Sequence, residues 1–76
     1  MNPKIEQQIG KNIRKLRENA GITQEQLAAK LQVAGCDITR SALAKIEVGQ
    51  RHLYPDEILQ IKLALNISFD DIFIFQ

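Results

Sequence analysis

Ile22-Thr23-Gln24-Glu25-Gln26-Leu27 and Ile38-Thr39-Arg40-Ser41-Ala42-Leu43 spell one signal twice. In each, a threonine stands where a helix N-cap belongs, its hydroxyl oxygen free to accept from a first-turn amide. The isoleucine before it and the leucine four residues after it have the spacing of a hydrophobic staple, and Gln26 completes a capping box with Thr23. Two helices follow, one over about residues 23–34 and one over about residues 39–47. Gly35 and Gly49 supply their stops.

The same grammar extends in both directions. Asn2-Pro3 is an N-cap followed by proline at the first helical position. Ile5, Ile9, Ile13, Leu16 and Ala20 then form one apolar stripe that ends at Gly21. Tyr54-Pro55-Asp56-Glu57 opens a fourth helix, with proline and two acids in a first turn where the macrodipole favours negative charge. That helix runs through Ile58, Leu59, Ile61 and Leu65 to Asn66. Ser68, flanked by Ile67 and Ile72 and followed by Asp71, opens a fifth. No segment alternates as a strand would, and no flexible linker interrupts the chain. The expectation is an all-α, compact five-helix single domain over residues 1–76.

At 76 residues such a chain buries only about 60% of its unfolded surface, so the core must be economical. Leu, Ile and Ala carry it, since the aromatics are few and tryptophan is absent. The lone Cys36 has no disulfide partner, no signal segment or membrane-length apolar run is present, and the expected setting is cytoplasmic. Net charge is +1, but residues 1–53 carry +4 and residues 54–76 carry −3. The front of the chain suits a polyanion and the tail does not, although chance asymmetry on a solvated surface reads the same way.

Gly21-Ile22-Thr23-Gln24-Glu25-Gln26-Leu27-Ala28, then Lys45-Ile46-Glu47 with Gly49, then Leu65-Asn66-Ile67-Ser68 resemble the Cro- and lambda-repressor-like (Xre-type) helix-turn-helix family. The resemblance covers nearly the whole chain. It implies a lambda-repressor-like domain acting as a DNA-binding transcriptional regulator, with Arg17 paired to Glu47 as a structural tie. One departure stands out. Between Leu31 and Thr39 the chain is about four residues longer than the family pattern, through Val33-Ala34-Gly35-Cys36. Four residues are close to a helical turn, so the extra length fits a longer second helix with little change of phase.

In a helix-turn-helix the second motif helix enters the major groove by its N-terminal part. Arg40, Ser41, Ala42 and Lys45 are thereby the expected base-reading residues. Arg40 and Lys45 have the chemistry for guanine or for phosphate, and the sequence leaves both open. Thr39 is first an N-cap. With Gln24, Gln50 and Arg51 it forms the expected phosphate-contacting set, the Gln24 assignment resting on the family pattern and on the helix N-terminus it opens. Lys11 and Lys15 are weaker candidates.

His52 is the single histidine, so no metal-ligand spacing exists, and neither a phosphate loop nor a catalytic triad is recognisable. No enzyme, metal, cofactor or small-molecule ligand is expected. The partners expected are double-stranded DNA and a second copy of the chain. Leu63, Ile74 and Phe75 are the candidate dimer patch, since Ile72-Phe73-Ile74-Phe75 is too apolar for every side chain to face inward. A tail folded back on its own domain explains the same run. The expected activity is repression by a dimer on a roughly palindromic site; the alternative is a protein-interaction module, such as an antitoxin, working through the apolar tail.

Overall fold

Each helix of the computed structural model, which describes residues 2–75, begins and ends on local chemistry. The elements are α1 (Pro3–Asn19), α2 (Gln24–Val33), α3 (Arg40–Glu47), α4 (Pro55–Leu65) and α5 (Phe69–Ile72). No strand occurs among the described residues.

Thr23 Oγ1 accepts from the Gln26 amide at 3.1 Å while Gln26 Oε1 accepts from the Thr23 amide at 2.8 Å, a reciprocal capping box. Thr39 Oγ1 accepts from the Ala42 amide at 3.1 Å, and Ser68 forms a second box with Asp71. The exits share one design. At the end of α2 the Cys36 amide donates to Leu31 O at 2.8 Å and the Gly35 amide to Gln32 O at 3.0 Å, the paired bonds of a Schellman motif. The same pairing ends α1 at Gly21, α3 at Gly49 and α4 at Asn66, and Gly21, Gly35, Gly49 and Asn66 are all left-handed.

The lengthened segment before α3 is pinned by its apolar residues. α2 runs on to Val33, Gly35 reverses the chain, and Cys36 and Ile38 both bury their side chains. These two anchors fix where Thr39 starts α3. Ile13, Leu27, Leu31, Ile38, Leu43, Ile61 and Ile72 are fully enclosed and form the centre of the core. α3 lies across α1 and α2, α4 covers α2, and α5 closes against α1.

Three expectations require adjustment. The α1 stripe meets the core only from Ile9 to Leu16; Ile5 at its start is 44% exposed and Ala20 at its end is exposed. Leu59 faces outward on α4, since Ile58, Ile61 and Leu65 already occupy the inward arc. The tail folds back: Asn12 Nδ2 on α1 donates to Ile72 O at 2.8 Å and Ile74 O at 2.9 Å. Leu63, Ile74 and Phe75 are each about half exposed, but they do not share one groove. Leu63 borders the ends of α2 and α4 beside Val33, whereas Ile74 lies along α1 near Lys11 and Lys15.

Candidate DNA-recognition face

α3 has one locked side and one open side. Leu43, Ile46 and Glu47 are buried, and Ala42 packs against the same core. Ser41, Lys45 and Val48 are exposed and fall at helical spacings of four and three, a continuous outward stripe with half-buried Ala44 beside it. Of the residues expected to read bases, Ser41 and Lys45 lie on this stripe and Arg40 on its edge. Ala42 faces the core instead, because it sits beyond the stripe on the arc that leads toward Ile46. Ala44 and Val48 were not anticipated. Their signal was the spacing of four from Arg40 and of three from Lys45, masked by their lack of polar chemistry.

The locked side is held by charge as well as packing. Arg17 Nε donates to Glu47 Oε2 at 2.7 Å and Arg17 Nη2 to Glu47 Oε1 at 3.0 Å, with both side chains nearly enclosed. The carboxylate beside it pushes the Arg17 guanidinium further toward its charged form. Arg17 Nη1 also donates to Ile22 O at 2.9 Å, which satisfies a carbonyl in the turn before α2. Two parallel bonds fix an angle as well as a distance, so the end of α3 cannot swing freely on α1.

Backbone approach is equally tight. A Cβ added at Gly10 would overlap Ile46 O and stand 2.9 Å from Glu47 O. Only a glycine lets α1 come this near the last turn of α3. Ala28 is a small residue buried on α2, the helix that also packs against α3.

Gln24 spends its side chain inside the domain. Its Nε2 donates to Glu47 Oε1 at 3.0 Å, so the side chain ties α2 to α3. Its position remains the first residue of α2, where unpaired first-turn amides and the macrodipole favour an anion. Arg14 and Arg40 line an open polar cleft there together with Thr23, Gln24 and Glu25. Arg14 was not singled out in the sequence; its 3.6 Å pairing with Glu18 is solvent-exposed and weak, and leaves the guanidinium available. Lys11 borders the neighbouring hollow with Arg14 and Val48, whereas Lys15 points along the tail side of α1.

Arg51 departs from the expected phosphate contact. Its Nη1 and Nη2 donate to Glu57 Oε1 and Oε2 at 2.9 and 3.0 Å, and Nη1 also donates to His52 O at 2.9 Å. Glu57 in turn accepts from the Tyr54 amide at 3.0 Å and so caps α4. The guanidinium holds the Glu57 carboxyl below its ordinary range, while burial opposes that shift and the Tyr54 amide assists it. Arg51 is thus a structural brace for the α3–α4 connection. Gln50 keeps an exposed side chain after its amide is spent on Lys45 O. Thr39 is exposed, with its hydroxyl engaged as the α3 cap.

Neither a group of metal-ligating side chains nor a helix able to cross a membrane occurs among the described residues. Comparison with curated proteins and with solved structures returns no match. A helix-turn-helix family model matches residues 13–72, which take in α2, the turn, α3 and most of their scaffold. Five helices in this order, an exposed stripe on α3 and a match over most of the chain agree: the chain belongs to the Cro/C1-type, Xre-like helix-turn-helix family of DNA-binding domains.

Proposed function

We propose that the domain is a transcriptional repressor that reads the major groove with α3 as a homodimer. One observation carries this reading: Ser41, Lys45 and Val48 form an outward stripe on a helix whose opposite side is fixed by Leu43, Ile46 and Glu47. A helix held on one side and bare on the other is suited to enter a groove in a single pose.

Within it, Ser41 and Lys45 are the base-reading polar groups, with Ala44 and Val48 available to thymine methyls. Arg40 and Arg14 flank the α2 N-terminus and suit a phosphate gripped by first-turn amides. Thr39 and Gln50 border the two ends of α3 and extend the backbone contacts. A dimer fits half-sites about 34 Å apart, one helical turn of DNA. Phe69, Phe73, Ile74 and Phe75 are large, exposed and close together in sequence, which favours the tail side as the dimer surface.

Selection from random duplexes followed by affinity measurement over a salt series tests the reading. The expected outcome is an enriched palindrome with half-site centres about ten base pairs apart and steep loss of affinity with salt. Absence of any enriched motif, with salt-insensitive binding, would refute it.

A further inference from the structure

The start of α1 arches over a cavity of about 230 Å³ between it, the end of α3 and the start of α4. Its walls are mostly aliphatic, from Ile5, Ile9, Ile46, Leu53 and Ile58, with Asn2, Glu6 and Arg51 supplying the polar part of the lining. Ile5 belongs to the core-facing stripe of α1, yet it lines open space there and stays 44% exposed. Around the mouth the charges are already matched. His52 Nδ1 lies 2.9 Å from Glu6 Oε1, and Arg51 is bound through both terminal nitrogens to Glu57.

We infer that this cavity is a binding site for a small uncharged aliphatic molecule with one hydrogen-bond acceptor, and that its occupancy sets the pose of α3. The walls offer dispersion contact and loss of apolar surface from water, the usual composition of a ligand site. Arg51 lines the cavity with both terminal nitrogens already engaged, and its Nε, which has no partner among the described residues, is the donor for the acceptor group. Glu6 in the lining disfavours a carboxylate, and desolvating one would be costly. Gly10 and Ile46 belong to the same wall, so the occupant touches the place where α1 abuts the last turn of α3. Through that contact it alters how α3 meets DNA, a consequence that rests on the DNA-reading role proposed above.

The test is a chemical-shift titration of the isotope-labelled full chain, without DNA, using 1-hexanol and separately hexanoate. Saturable shifts are expected at the methyls of Ile5, Ile9 and Leu53 with 1-hexanol, at a Kd on the order of 1 mM or tighter. Hexanoate should bind at least about tenfold more weakly because its charge must be desolvated. The amides of Ser41 and Lys45 should move along the same saturation curve. Ile5→Phe, at a half-exposed position, should fill the space and abolish the response while leaving the rest of the spectrum folded. The inference is overturned if the wall methyls do not saturate, if hexanoate binds as well, if Ile5→Phe still responds, or if the α3 amides stay still. None of these readouts uses DNA, so their failure is separate from failure of the DNA-reading role, which only the duplex selection addresses.

Discussion

Arg17 on α1 and Glu47 at the end of α3 face each other as a bidentate ion pair, and Gln24 on α2 donates to the same carboxylate. One buried carboxylate therefore ties three helices, including both helices of the DNA-reading motif. Removing one partner strands the other charge in a nearly enclosed site. Glu47→Ala and Arg17→Ala are each expected to cost about 3–5 kcal/mol, measured by urea unfolding. The double replacement Arg17→Met with Glu47→Leu should recover most of that loss, because an apolar pair carries no desolvation cost. A single-variant loss under about 1 kcal/mol would mean that the pair behaves like an exposed one.

Gly10 gives the opposite of the usual helix expectation. In an exposed helix interior, Gly→Ala stabilises by about 1 kcal/mol. Here the new methyl meets the carbonyl oxygens of Ile46 and Glu47, so the last turn of α3 must retreat. Gly10→Ala should destabilise by about 1–3 kcal/mol, as overpacking does. Thermal unfolding checks the sign, and a rise in Tm would show that the helices yield freely. Specific DNA affinity should fall even at temperatures where the variant remains folded, because α3 is tilted.

The Arg51–Glu57 brace predicts an acid-sensitive part of stability. The Glu57 carboxyl titrates below its ordinary range in the folded chain, chiefly through the hydrogen bonds from Arg51. A group whose folded pKa is depressed contributes stability above its unfolded pKa, about 4.3 for glutamate, and loses it as pH falls through the folded value. Glu57→Gln should therefore cost about 1.5–3 kcal/mol at neutral pH, the range for hydrogen bonds to charged groups. The stability difference between wild type and variant should start to shrink as pH falls past the ordinary glutamate range and vanish only below the folded Glu57 pKa. A difference that stays constant down to pH 3 would assign the effect to packing rather than charge.

Asn12 makes the tail a matter of two hydrogen bonds. Its side-chain amide donates to the carbonyls of Ile72 and Ile74, on a chain segment sixty residues away. Asn12→Ala should cost about 1–2 kcal/mol and speed hydrogen exchange at residues 73–75. If the tail surface carries the dimer, sedimentation should also show weaker self-association. Unchanged exchange at these amides would mean that apolar contacts alone hold the tail.

Local signals were legible in the sequence because their causes are local. Thr23, Thr39 and Ser68 cap the helices that follow them through bonds spanning three residues, and Gly21, Gly35 and Gly49 end helices by a φ of 74–84°. The long-range ties were less so. Gln24 reads as a phosphate ligand until Glu47 is brought beside it, and Arg51 reads as a free cation until Glu57 folds over it. Both decisions are competitions between an internal acid and an external anion, and only tertiary proximity determines the local winner. Gly10 has no local signal at all: mid-helix glycine means something only when another backbone is seen against it.

The recognition face separates into residues that should change preference and residues that should change grip. Arg14 and Arg40 lie beside the first turn of α2, at the border of the α3 stripe rather than on it. Each contact that neutralises a phosphate contributes about 0.9 to the slope of log K against log salt. Arg14→Ala and Arg40→Ala should each reduce that slope by about this amount and leave the ranking of DNA sites intact. Lys45→Ala, on the exposed stripe, should instead relax preference at one or two positions of each half-site, by about 1–3 kcal/mol per lost base contact. Competition assays with single-base variants of the selected site distinguish the two patterns. An Arg40 variant that scrambles site ranking would move Arg40 into the groove, and would require α3 to enter by its edge rather than along the Ser41–Lys45–Val48 stripe.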